Sequence, residues 1–146
     1  MRRTADVVII GGGIMGASTA YHLAKRGCTN VVFLEAGTMF GQGSTGLNAG
    51  GIRYQFGSPV NIELSTMSIG MMERFAVEMD QEVGLRRCGY LFMLDNDADL
   101  AQFARNVAVQ NAHGVPSRMI GPEDIATLAP EVAIRGIIGG SWCPRE

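Results

Sequence analysis

Three glycines and one glutamate form the first pattern in this sequence that could do chemistry. Gly11, Gly13 and Gly16 make a Gly-x-Gly-x-x-Gly turn, and Glu35 follows roughly 20 positions later. Gly11 permits a sharp bend, Gly13 leaves room for a pyrophosphate beside the backbone, and Gly16 lets a helix lie close to a strand. The helix N-terminus attracts phosphate, and the Glu35 carboxylate can accept hydrogen bonds from a ribose diol. The pattern predicts a dinucleotide site, against the alternative of a glycine-rich turn without a ligand.

A single cation in a glycine-rich stretch is the second such pattern. Residues 37–57 are rich in glycine, and Arg53 is the only charged residue between Glu35 and Glu63. A stretch this long is usually functional or disordered, and its apolar residues argue against disorder. An isolated arginine is more often a surface residue. Here its place after the dinucleotide motif favours a carboxylate-binding role, because a guanidinium presents a fork of donors to a carboxylate.

Two apolar strands and the helix between them must position the glycine turn. Val7–Ile10 is a continuous apolar run, typical of a strand buried on both faces of a parallel sheet. The helix after the turn is predicted to close at 25–27, where cations and a glycine are favoured. Its apolar face comprises Ile14, Ala17, Tyr21 and Ala24. A second strand, Val31–Leu34, leads to Glu35, so residues 5–36 are predicted to form a βαβ unit of an α/β fold.

The remaining sequence predicts further helices and strands. Residues Ile52, Tyr54 and Phe56 alternate as in a strand or a packed extended run. One long helix is predicted from Pro59 to Leu85, ended by Gly84, with a buried face of Leu64, Met67, Met71, Phe75, Met79 and Val83. Beyond it we expect a strand at 89–94, a turn and helix cap at 95–97, a helix ended by Gly114, a short helix between Gly121 and Pro130, and a final strand at 134–142.

Composition excludes several classes of function. The chain has 146 residues, 47% hydrophobic and 18% charged, which suits a packed globular protein. A net charge of −2 with scattered basic residues gives no case for nucleic acid, and no apolar run approaches the roughly 18 residues of a membrane span. Three widely spaced cysteines predict reduced thiols and a cytoplasmic location, while two distant histidines make a metal site improbable.

The motifs resemble a known family. The segments DVVIIGGGIMGASTAYHLAKRG, VVFLEAG and above all GSTGLNAGGIRYQFG resemble the amino-terminal part of FAD-dependent oxidoreductases of the D-amino-acid oxidase and glycine/sarcosine oxidase superfamily. The resemblance is strongest to the beta subunit of heterotetrameric sarcosine oxidase and its dimethylglycine and proline dehydrogenase relatives. It spans essentially all 146 residues, and the second glycine-rich motif is more selective than the first.

The resemblance implies a role for individual residues. Arg53 would be the catalytic-site residue that binds the substrate carboxylate. FAD would be the cofactor, with its pyrophosphate on the glycine turn, its adenosine ribose on Glu35 and its flavin and ribityl chain beside the second motif. The implied cofactor-binding residues are Gly11, Gly13, Ile14, Met15, Gly16, Glu35, Ala36, Ser44, Thr45, Asn48, Ala49, Gly50 and Gly51.

The resemblance also implies an incomplete molecule. Residues 1–87 would be the amino-terminal part of a Rossmann-like FAD-binding domain, and residues 88–146 the start of an α+β substrate domain. Two parallel strands do not complete a doubly wound sheet, so the chain is expected to pair with the remainder of the same protein, another subunit or another copy.

Two hypotheses stay open. One is part of an enzyme that oxidises the C–N bond of an amino acid or N-methyl amino acid. The other is an inactive fragment with only a nucleotide-binding or self-associating surface. A nicotinamide dehydrogenase is a weaker third, because the second glycine-rich motif would have no use there.

Overall fold

The computed structural model describes residues 4–146 and divides the chain after Gly51 into two compact units. Each has its own sheet and is described by itself. Residues 52–87 belong to the same compact unit as residues 88–146, so the predicted boundary at residue 87 does not coincide with this division. As a boundary between FAD-binding and substrate domains it stays a prediction. Among residues 4–146, no helix is long and apolar enough to cross a bilayer.

The first unit contains the predicted βαβ arrangement. Strand β1 (Val7–Ile10) leads through the glycine turn into helix α1 (Ile14–Lys25), and strand β2 (Val31–Leu34) returns beside β1. The two strands are parallel and in register from Val7 opposite Val31 to Ile10 opposite Leu34. The chain then forms a long loop that holds one short helix, α2 (Ser44–Leu47). The predicted strands, helix and parallel pairing are confirmed.

Helix α1 lies close to the strands because residue 16 has no side chain. A Cβ atom on Gly16 would meet the Gly11 carbonyl oxygen at 2.1 Å and the Phe33 ring at 2.8 Å. The apolar face predicted for α1 is not buried: no residue of the helix is buried, and Ile14 is 59% exposed. The helix meets the strands through the bare backbone at position 16.

The second unit is an antiparallel sheet flanked by helices. Its helices are α3 (Pro59–Glu73), α4 (Phe75–Met79), α5 (Asp97–Ala112) and α6 (Pro122–Leu128), and its strands are β3 (Tyr90–Leu94), β4 (Arg118–Ile120) and β5 (Gly139–Cys143). Strand β5 lies between β3 and β4. Two glycines begin β5, and a Cβ on Gly140 would meet the Phe92 carbonyl oxygen at 2.5 Å, so this close pairing needs glycine. The core cluster comprises Tyr54, Ile62, Ile69, Val115 and Cys143.

The single long helix predicted over 59–85 is wrong in its length and in its buried face. It is interrupted at Arg74 and ends at Met79, because Asp80 adopts a left-handed conformation (φ 50°) four residues before Gly84. Ile62 and Ile69 make the buried face, whereas Leu64 and Met67 are 56% and 66% exposed. Apolar residues lie on more than one side of α3, so their spacing alone cannot select the buried one.

The carboxyl-terminal elements are largely confirmed. Asn96 caps α5 by accepting a hydrogen bond from the Asp99 N–H (2.9 Å), and Gly114 (φ 77°) follows its end. Helix α6 begins at Pro122, as predicted. The final strand begins at Gly139 and not at residue 134, and the sequence offered no signal for β4. Residues Ile52, Tyr54 and Phe56 form no strand but a packed run against the core.

Gly16→Ala should destabilise the protein by about 1–3 kcal/mol, because the new methyl group overlaps the Gly11 carbonyl and the Phe33 ring. The matched control is Gly70→Ala, also a helical glycine, where a Cβ makes only an ordinary 3.5 Å contact with Arg74. That change should stabilise by up to about 1 kcal/mol. Thermal unfolding followed by circular dichroism measures both, and equal effects of the two substitutions would contradict the close approach at Gly16.

Candidate functional site

The glycine turn in the first unit has the geometry that a phosphate cradle needs. Gly11 adopts φ 103°, a conformation that L side chains rarely take, and its N–H donates to the Leu34 carbonyl (2.8 Å). Gly13 precedes α1 and has no side chain to cover the helix N-terminus. The turn therefore presents bare backbone and the positive end of a helix dipole on the side where phosphates bind.

Glu35 is held by the backbone of the turn. One of its carboxylate oxygens accepts the Gly12 N–H (2.5 Å) and the other accepts the Gly37 N–H (2.7 Å). Hydrogen bonds from Gly37, Gly12 and Ala36 lower the pKa of Glu35, although some desolvation acts in the opposite direction. The carboxylate is exposed, and each oxygen keeps a second lone pair for a further donor. It is therefore a fixed anion that can still accept hydroxyl groups.

The loop after β2 returns to the helix N-terminus. The Thr45 hydroxyl oxygen accepts the Ile14 N–H (2.9 Å), and it would lie 2.9 Å from a Cβ atom on Gly13. The Gly41 N–H donates to the Gly12 carbonyl (2.9 Å), which ties the loop to the turn a second time. The structure thus brings residues of both glycine-rich motifs to one end of α1.

Asn48 shapes the end of this loop. Its side-chain amide donates to the Thr45 carbonyl, and its side-chain oxygen accepts the Gly50 N–H (2.7 Å) at a left-handed glycine (φ 75°). Ser44 is the first residue of α2. The side chains of Met15, Ala36, Ala49 and the backbone of Gly51 are exposed. None of these contacts tests the cofactor roles predicted for Ser44, Asn48, Ala49, Gly50 and Gly51, which stay predictions.

Sequence reasoning assigned no role to Phe40. Its ring stacks on Phe33 (5.0 Å between centroids) and fills the space that a Cβ on Gly12 would need, at 2.0 Å. The middle glycine is therefore required by an aromatic neighbour. The signal was an aromatic residue placed between Glu35 and the second motif, but only the folded loop brings it to the turn.

Arg53 belongs to the second unit, where three rings surround it. The guanidinium carbon lies 4.9 Å from the centroid of the Phe56 ring, 5.4 Å from Phe92 and 5.9 Å from Tyr90. These distances allow cation–π attraction. The buried Nε of Arg53 has no hydrogen-bond acceptor among residues 4–146. A buried N–H without an acceptor is costly, and a bound anion would supply the missing acceptor.

Two of the three rings around Arg53 come from a distant part of the chain. Tyr90 and Phe92 lie two residues apart on β3, so their side chains share one face of the sheet. Phe56 is held by Gln110, a buried residue of α5 whose amide donates to the Phe56 carbonyl (3.1 Å). The alternation on β3 could be read from the sequence, but the meeting with Arg53 could not. Among residues 4–146, no group of three or more His, Cys, Asp or Glu side chains could hold a metal ion.

Acid should weaken the first unit through Glu35. Because the pKa of Glu35 is lowered on folding, its contribution to stability is present above the usual carboxyl pKa and is lost as the pH falls through the lowered value. Glu35→Gln should therefore lower the melting temperature more at pH 7 than at pH 3. Asp6→Asn, in the same unit but outside the turn, controls for the loss of one negative charge. An equal loss for Glu35→Gln at both pH values would contradict the ionised state described above.

Comparisons with known proteins place this geometry in a family. A sequence profile of the family described as FAD dependent oxidoreductase matches residues 6–146. Human (Homo sapiens) mitochondrial sarcosine dehydrogenase is 33% identical over 147 residues, which cover 98% of this chain and 16% of that protein. The mouse (Mus musculus) mitochondrial pyruvate dehydrogenase phosphatase regulatory subunit is 32% identical over 142 residues, covering 97% of this chain and 16% of that protein.

A solved structure agrees with the sequence comparisons. The crystal structure of L-proline dehydrogenase from P. horikoshii superimposes with a TM-score of 0.87 at 34% identity, covering 99% of this chain and 38% of that one. The chain thus spans well under half the length of these relatives. The α/β fold and the FAD cofactor predicted from the motifs are confirmed at the level of the family, whose members are FAD-dependent. With its profile match across residues 6–146, this chain belongs to the FAD-dependent oxidoreductase family.

Proposed function

We propose that this chain is the part of a flavoprotein that binds FAD and the carboxylate of an amino acid or N-methyl amino acid, whose C–N bond the whole protein oxidises. The observation that carries the proposal is Arg53, a cation held among three aromatic rings with a buried, unpaired Nε. Relatives whose names include sarcosine dehydrogenase and L-proline dehydrogenase support this substrate class.

The first unit fits the adenosine diphosphate part of FAD. The positive φ of Gly11 and the tight approach at Gly16 produce the turn, and the bare Gly13 leaves the helix N-terminus accessible. Thr45, which accepts from Ile14, would share that terminus with a pyrophosphate. Glu35 would accept the ribose hydroxyls on the lone pairs that Gly12 and Gly37 leave free.

The second unit supplies the contact with the substrate. The Arg53 guanidinium would hold the substrate carboxylate through two parallel N–H donors, which fixes its orientation as well as its position. The rings of Phe56, Tyr90 and Phe92 give the guanidinium apolar neighbours, and charges attract more strongly in less polar surroundings. Bound FAD would supply the two-electron oxidant for removal of a hydride equivalent from the donor carbon. No residue of this chain need act as a general base if the substrate amine arrives neutral.

A second candidate is a regulatory flavoprotein without turnover of its own. It is favoured by one observation, the 32% identity with a protein named a pyruvate dehydrogenase phosphatase regulatory subunit. In this case the first unit would bind FAD, and Arg53 would bind no oxidisable amine.

Whether the protein is an enzyme or a regulatory flavoprotein, the first unit needs a partner that covers its apolar strand residues. Ile10 at the end of β1 is 85% exposed, and Leu34, its partner at the end of β2, is 50% exposed. Apolar strand residues are usually covered. We propose that the remainder of the same protein, another subunit or another copy covers them, and that the protein is cytoplasmic, as its three cysteines suggest.

Flavin absorbance of the purified protein separates the two candidates. The protein containing this chain should be yellow, and its flavin absorbance near the visible maximum should bleach when sarcosine, glycine or L-proline is added without oxygen. A yellow protein that no amino acid or N-methyl amino acid bleaches would favour the regulatory role. A protein that binds no FAD even when FAD is added would contradict both.

Arg53→Ala should raise KM for the amino-acid substrate about 10–100-fold and leave FAD content unchanged, because hydrogen bonds to a charged group contribute about 1.5–3 kcal/mol. Arg53→Lys should recover only part of the loss, since lysine keeps the charge without the fork. Arg135→Ala, an exposed arginine of the same unit, is the matched control. Steady-state kinetics and the flavin spectrum measure both quantities. A variant that loses its flavin would assign Arg53 to the cofactor instead.

A further inference from the structure

Three buried polar residues, one of which closely follows Arg53 in the sequence, are linked by hydrogen bonds. Glu146, Gln55 and Ser141 are 7%, 6% and 0% exposed. Polar groups this deeply buried destabilise the fold unless they are hydrogen-bonded. Neither the cofactor turn nor the proposed carboxylate contact uses any of the three.

The hydrogen bonds of these residues have a fixed direction. One Glu146 oxygen accepts the N–H groups of Tyr54 and of Gln55 (2.8 Å for Gln55), and the other accepts the Gln55 side-chain amide (3.1 Å). The same amide nitrogen donates to the Tyr90 carbonyl (2.8 Å), and the Ser141 hydroxyl donates to the Gln55 side-chain oxygen (2.5 Å). A carbonyl can only accept, so Tyr90 prevents the Gln55 amide from turning over. Both oxygens of Glu146 must therefore be acceptors.

These bonds control the surroundings of Arg53. Tyr54 and Gln55 directly follow Arg53, so Glu146 holds the backbone that carries the arginine. Through Gln55 it is also joined to Tyr90, whose ring lies against the guanidinium. The Glu146 carboxylate thus fixes the position of Arg53 relative to Tyr90.

Burial raises the pKa of Glu146, and the hydrogen bonds from Gln55 and Tyr54 and the positive charge of Arg53 offset only part of that rise. The direction of the hydrogen bonds around Gln55, and not the pKa, therefore identifies both oxygens of Glu146 as acceptors.

We propose that Glu146 is a positioning residue for Arg53: linked through Gln55 to Ser141 and Tyr90, its carboxylate holds the guanidinium where it binds the substrate carboxylate. The inference rests on the proposed function, because it assumes that Arg53 binds that group. Glu146 itself touches neither substrate nor cofactor.

Glu146→Gln in the FAD-loaded protein tests the inference. The new amide would point an N–H donor at the Gln55 amide N–H, which cannot turn over, and so would disturb the backbone that carries Arg53. KM for the amino-acid substrate should therefore rise about 10-fold, with kcat and FAD content little changed. Glu146→Asp keeps the charge and should recover part of the loss. Glu131→Gln, an exposed acid of the same unit, is the matched control and should leave KM unchanged. If Glu146→Gln fails to fold, Ser141→Ala is the milder variant, with an expected rise of about 3-fold.

A double variant separates positioning from a merely structural role. Once Arg53 is Ala, adding Glu146→Gln should raise KM no further, because the two residues act on the same contact. A further 10-fold rise in that background, or an unchanged KM for Glu146→Gln alone, would overturn the inference while leaving the proposed function in place. If Arg53→Ala itself leaves KM unchanged, the proposed function fails and the inference fails with it.

Discussion

The first unit depends on backbone that carries no side chains where strand, turn and helix meet. Gly16 allows α1 to lie against the Gly11 carbonyl, and Gly11 takes a left-handed conformation that makes this approach possible. The same bare backbone is what a pyrophosphate would contact. Glu35 then closes the turn by accepting the Gly12 N–H, so the requirement for folding and the requirement for a nucleotide fall on the same residues.

The parts of this molecule that the sequence predicted well are those set by local rules. The βαβ unit, the Asn96 cap, the end of α5 before Gly114 and the start of α6 at Pro122 each follow from residues a few positions apart. The buried face of α3 could not be predicted in this way, because apolar residues lie on more than one side of the helix. Packing against the core buries Ile62 and Ile69. The early helix end at Asp80 could not be predicted either, because neither glycine nor proline stands at that position.

In the candidate sites, too, the sequence predicts some residues and not others. The glycine turn and Glu35 could be predicted because their spacing is the signal, whereas Phe40, which makes Gly12 obligatory, could not. Arg53 was recognisable as an isolated cation, but two of the three rings around it belong to β3, more than thirty residues later in the chain. Family membership identifies the cofactor as FAD, and the similar proteins include one named as a dehydrogenase and one named as a regulatory subunit. We propose that carboxylate binding by Arg53 would distinguish an amine oxidoreductase from a flavoprotein without turnover.

We propose that the turn at Gly11–Gly16 and the Glu35 carboxylate hold the adenosine diphosphate part of FAD. A crystal structure of the FAD-bound protein would show where the nucleotide lies. We expect the pyrophosphate beside Gly13 and the Thr45 hydroxyl, at the N-terminus of α1, with the adenosine ribose hydroxyls on Glu35. A pyrophosphate bound away from this turn, with Phe40 and Thr45 blocking it, would contradict the proposal.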